Sequence, residues 1–204
     1  MSVSSQSAPI AVCGSLGEYF STPVQEALAS QEVPTSDASK TYLVELLSGF
    51  AKPNEDTAST FSQPITFLLR DAMQAVGPER FRRLQNLGDG VLYALGFFGD
   101  HLRGVDPEYI ARVGASAYDH AARMLRTGQP ATRGPDLFDE LARGFGRFVG
   151  VLRYVADWIF AKSARDEASL VRLYERWLRT GSTVIESELG SRGLHLHSGF
   201  DGVH

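Results

Sequence analysis

The sequence predicts an all-α fold, a single bundle of about six or seven helices. Apolar residues recur at spacings of three and four along most of the chain, segment after segment opens on proline and closes on glycine, and long runs of strand-like alternation are missing. The 204 residues suffice for one sizeable core.

Each element follows from that punctuation. Thr22-Pro23 opens a short segment to about Gln31, since the missing proline N–H has no intrahelical partner at a first helical position. Ser36 to Ser39 lead into a helix to about Ala51, with Tyr42, Leu43, Leu46, Leu47 and Phe50 on one stripe. The polar run KPNEDTASTFSQ, residues 52–63, reads as a loop. Pro64 starts a helix with Ile65, Leu68, Leu69, Ala72, Met73 and Val76 inward and Gly77 as its stop. Pro78 starts the next, carried by Phe81, Leu84, Gly88, Val91, Leu95, Phe98 and Leu102. Asp106-Pro107 starts another through Ile110, Val113, Ala117, Ala121 and Leu125 to Gly128. After the loop TGQPATRG, one long helix is expected from Pro135 through Leu141, Phe145, Phe148, Leu152 and Ile159, and a last one from about Asp166 to Leu189, closed by Gly190.

Residues 1–20 read as a partly flexible N-terminal segment, 21–190 as the bundle and 191–204 as a tail. Gly90-Val91-Leu92 is echoed by Gly150-Val151-Leu152, and IARV at 110–113 by LVRL at 170–173, which suggests two similar helical hairpins.

Composition narrows the function. Hydrophobic residues make up 43% and charged residues 22%, as in ordinary globular domains. Neither a membrane-spanning run nor a secretory leader is read, and Cys13 is the single cysteine, so a cytoplasmic setting is expected. Residues 1–60 carry only Lys40 and Lys52 against seven acidic side chains, which argues against nucleic acid as a partner. The Glu-x-x-His spacing of di-iron bundles does not occur, and neither does a phosphate loop, a dinucleotide fingerprint or a nucleophile elbow. His195 and His197 in the tail read as mobile rather than as metal ligands. A binding role is therefore expected over catalysis, and no cofactor is implied.

The stretch LGDGVLYALGFFGD, residues 87–100, is where a site is expected. Each glycine inside a helix costs about 1 kcal/mol relative to alanine. Two readings offset that cost. In the first, the glycines let helices approach closely, with Gly114, Ala117 and Ala121 on one neighbour and Gly144, Gly146 and Gly150 on another. In the second they leave a slot lined by Leu92, Tyr93, Phe97, Phe98, Phe145 and Phe148, open to a small apolar or aromatic ligand.

If the chain reverses near Val105, helical rise puts Asp89 and His120 at one level, with Tyr93 and Tyr118 about a turn nearer the loop. The candidate ligand-binding residues are thus Asp89, Tyr93, Gly96, Phe97, Tyr118 and His120. The expected function is a non-enzymatic interaction protein that binds a protein partner or itself. The alternative is a sensor or carrier using the glycine-rich slot.

Overall fold

A computed structural model describes residues 15–52, 64–99, 106–128 and 136–194. All nine elements among the described residues are helices. They are α1 (Leu16–Ser30), α2 (Asp37–Phe50), α3 (Ile65–Gln74), α4 (Gly77–Phe98), α5 (Pro107–Gly128), α6 (Leu137–Arg143), α7 (Phe145–Ser163), α8 (Glu167–Thr180) and α9 (Thr183–Ser191).

The count exceeds the expected six or seven because two long helices are each broken at a glycine. Gly144 leaves helical geometry at φ −95° and ψ 10°, dividing α6 from α7. Gly181 adopts the left-handed conformation at φ +63°, where a Cβ would be strained, and so ends α8. At the other end of the chain α1 starts earlier than Thr22-Pro23. Ser15 caps it by accepting a bond from the Glu18 N–H at 3.1 Å, and Pro23 lies inside the helix. The stripe Phe20, Val24, Ala27 and Leu28 runs past the proline into the core, so packing outweighs the lost bond.

α4 occupies the middle of the bundle, packed against α5, α7 and α3. α1 bridges α2 and α7, and α6 lies on α5. Leu84, Leu92, Leu141 and Leu152 are wholly buried in the resulting core, and each contributes about 2 kcal/mol. A second, smaller core of Ala161, Ala164, Leu173, Trp177, Ile185 and Leu189 joins the end of α7 to α8 and α9.

The internal echo does not produce two like hairpins. α4 and α5 pack along each other, whereas α7 turns to α4 and α1 and meets α8 sparsely. None of the described helices is long and apolar enough to cross a membrane.

Candidate functional site

Asp89 stands in a row one turn apart on α4: Phe81, Gln85, Asp89, Tyr93 and Phe97, all half-buried. The row faces α2, which supplies Tyr42 and Phe50. The Tyr42 hydroxyl donates to Asp89 Oδ1 at 2.6 Å, and the Tyr118 hydroxyl of α5 donates to the same oxygen at 2.6 Å. Gln85 Nε2 in turn donates to the Tyr42 oxygen at 3.0 Å. Short bonds from neutral hydroxyls to a carboxylate are the charge-assisted kind, so one oxygen ties three helices together.

Aromatic rings back and flank the carboxylate. Phe138 of α6 packs against Tyr42 and Tyr118 with centroids 5.7 Å and 5.8 Å away. Toward the C-terminal end of α4, Phe50 stacks on Tyr93 at 4.2 Å and Tyr93 on Phe97 at 4.7 Å.

The environment sets the protonation. Burial pushes the Asp89 carboxyl up to about 6, although the Tyr118 and Tyr42 hydroxyls pull it the other way. Burial, followed by the Asp89 charge, drives both tyrosines above the usual phenol range, so they remain donors. At neutral pH the group is a carboxylate held by two phenols.

A carboxyl raised above its ordinary 3.8 favours the folded state most when protonated. That contribution is complete below the ordinary value and is lost as pH rises through about 6. The protein is therefore expected to gain stability between about pH 7.5 and about pH 4 at this site. Asp89→Asn should be the more stable protein at neutral pH, by about 1–3 kcal/mol. Denaturant unfolding of both proteins over a pH series checks this, and parallel pH curves would sink it.

His120 does not meet Asp89, contrary to the pairing that helical rise suggests. Its Nδ1 lies 2.7 Å from the Ser116 carbonyl oxygen on its own helix, and 3.4 Å from the Ser116 hydroxyl. Tyr118 takes the expected place. Two positions along a helix are about 200° apart in azimuth, so Tyr118 and His120 cannot both face α4.

Nor do the glycines leave a slot. A Cβ at Gly96 would overlap Leu152 Cβ, and one at Gly114 would stand 2.5 Å from the Phe145 ring. A Cβ at Gly88 would come 2.5 Å from the Tyr118 ring, so this glycine admits the tyrosine that reaches Asp89. Leu92, Phe145 and Phe148 belong to the sealed core, while Phe98 is exposed. Close helix packing accounts for Gly88, Gly96 and Gly114.

Of the six expected site residues, Asp89, Tyr93, Phe97 and Tyr118 fall in one neighbourhood, Gly96 serves packing and His120 stands apart. Sequence reasoning missed Tyr42 and Gln85 as site residues. A signal existed: a tyrosine on an apolar stripe needs a partner for its hydroxyl, and Gln85 lies one turn before Asp89. It also missed Asp157, which is 3% exposed and accepts a 2.6 Å bond from Arg176 Nε, joining α7 to α8. Arg176 further lies over the Phe160 ring at 5.4 Å.

Among the described residues no group of three His, Cys, Asp or Glu side chains is placed to hold a metal ion. In the basic segment 79–84 at the start of α4, Glu79 and Arg83 pair one turn apart at 2.7 Å on the solvated face. Cys13, Asp100, His101, Arg103 and the tail histidines lie outside the described residues. Compared with known proteins, the chain matches no family model, no curated protein and no solved structure.

Proposed function

We propose that the protein is a non-catalytic interaction module, that α8 is its docking element, and that a second copy of the chain is the partner there. The observation that carries this reading is an apolar stripe on the outer face of α8. Val171, Tyr174 and Leu178 are 57%, 40% and 60% exposed, although they recur at the spacing of one helix face. Scattered exposed apolar side chains are ordinary, whereas a contiguous stripe marks an interaction surface.

The opposite side of α8 already has its partner, since Leu173 and Trp177 are buried in the small core. Tyr174 adjoins Trp177 at 5.8 Å, so the stripe continues that core outward.

Charge supports a like partner. Arg172, Glu175 and Arg179 are exposed along one flank of the stripe, and none forms an ion pair among the described residues. Two antiparallel copies of α8 related by a two-fold axis bring like flanks together, with Glu175 of each facing Arg172 and Arg179 of the other. A single-helix contact lies at the small end of specific interfaces, so micromolar association is expected. A cytoplasmic setting rests on composition alone, chiefly the single cysteine. The scarcity of cations in residues 1–60 argues for protein over nucleic acid as partner.

Sedimentation over a dilution series tests the reading. The expected result is a shift from monomer to dimer mass with rising concentration. Val171→Glu with Leu178→Glu should abolish it at an unchanged melting temperature, and Glu175→Arg should weaken it. A chain that stays monomeric throughout, or a double variant that dimerises like the parent, overturns the proposal.

A further inference from the structure

We infer that the cleft between α1, α7 and α9 binds a small unbranched zwitterion, an ω-amino acid with its ammonium at Glu26 and its carboxylate at Lys162. The inference involves neither α8 nor the partner proposed for it, so each can fail alone.

The first ground is the space itself. The cleft has a volume of about 260 Å³ and is walled by α1, by residues 154–162 of α7 and by the first two turns of α9. That volume lies at the small end of small-molecule sites. Its shape follows α7, where Tyr154, Trp158 and Lys162 succeed one another a turn apart, about 12 Å end to end by helical rise. α1 runs antiparallel to α7, for Gln31 Nε2 donates to the Gly150 carbonyl at 3.2 Å while Tyr19 packs edge-on against Trp158 at 5.9 Å. Glu26 and Ser30 therefore stand at the Tyr154 end, and α9 closes the Lys162 end.

The second ground is that the two ends differ in charge. At the Tyr154 end the charge is negative. Burial raises the Tyr154 hydroxyl above the usual phenol range and the neighbouring Glu26 carboxylate adds to the rise, against the pull of the Ser30 hydroxyl. Tyr154 thus stays neutral, and Glu26 forms no ion pair among the described residues. An ammonium there would meet a carboxylate and two hydroxyl oxygens.

At the other end the cations are in excess. Lys162 Nζ donates to Glu188 Oε2 at 3.0 Å, but Oε1 of the same carboxylate is already held by Arg192 through Nε at 3.0 Å and a terminal nitrogen at 2.8 Å. Two cations share one carboxylate. The Lys162 side chain is 55% exposed and its ammonium has two further N–H donors, with the Thr183 and Ser187 hydroxyls lining the same end. A ligand carboxylate would balance the charge that Glu188 leaves over. A simple cation or anion matches one end only, whereas a zwitterion matches both.

The third ground is the middle. Between the poles the lining is Trp158, Ala161 and Val184, an apolar floor for a chain of methylenes.

The probe is ε-aminocaproate, followed by chemical-shift titration of the full chain. Caproate and hexylammonium each lack one pole, and glycine holds its poles too close together to reach both ends. Saturable binding of ε-aminocaproate is expected, about tenfold or more tighter than any of the three, with shifts on α1, α7 and α9. Glu26→Gln should abolish the advantage over caproate, and Lys162→Met the advantage over hexylammonium. Both side chains are exposed, and Glu188 keeps Arg192 in the second variant, so both proteins should melt like the parent. The ligand series on the unaltered protein decides the matter without the variants. Absence of saturable binding, equal affinity for glycine or for either single-pole analogue, or a Glu26→Gln protein that keeps its full preference overturns the inference. In those cases the cleft is only a solvated seam between three helices.

Discussion

Replacing Arg176 by alanine is expected to destabilise the protein by about 3–5 kcal/mol. The size follows from what is left behind. Asp157 is 3% exposed, and its Oδ1 takes a 2.6 Å bond from Arg176 Nε. Without the guanidinium, a carboxylate inside the fold has neither countercharge nor water to replace it. Loss of the aliphatic stem over Phe160 adds to the effect. The pair itself contributes far less than this, because both charges are desolvated to form it. Asp157→Leu with Arg176→Met is therefore expected to unfold within about 1–2 kcal/mol of the parent. Denaturant unfolding of the single and double variants separates these terms, and a single variant as stable as the parent would show Asp157 to be solvated.

Gly96→Ala should destabilise by about 2 kcal/mol, although alanine is the better helix former by about 1 kcal/mol. The added Cβ overlaps Leu152 Cβ, and Leu152 Cα lies 3.4 Å from it. These atoms are fixed to the α7 backbone and cannot rotate aside. α4 and α7 must separate, and with them the central packing of the bundle. Gly146→Ala is the matched control, for a Cβ there meets nothing within 4 Å. It should stabilise by up to about 1 kcal/mol. Thermal melts of both variants decide the matter; equal behaviour at positions 96 and 146 would mean that α4 and α7 are not in close contact.

Much of the fold is legible in the spacing of apolar residues. Leu84, Val91 and Leu95 lie on one predicted stripe of α4 and all are buried. Proline punctuation is less dependable: Pro107 begins α5, whereas Pro23 lies within α1 because Ser15 supplies a cap eight residues earlier. Glycine is more ambiguous still. Gly88 and Gly96 continue a helix, while Gly144 and Gly181 end one. Residue type does not separate these cases, since the neighbours decide whether a glycine is held in a helix or released from it.

The site was legible along the helix axis and not around it. Rise per residue places Asp89 level with the Tyr118–His120 turn of α5, but the azimuth that selects Tyr118 depends on how Phe138 and Phe145 pack against that helix. Tyr42 comes from a helix distant in sequence, and no local spacing connects it to Asp89.

The division into two cores also orders events during synthesis. Every buried residue of the larger core lies between Phe20 and Val155, whereas the smaller one is drawn from Ala161 to Leu189. A chain emerging from the ribosome can thus close its principal core while α8 and α9 are still being made. Until Arg176 follows, Asp157 waits at the edge of the finished bundle without its cation.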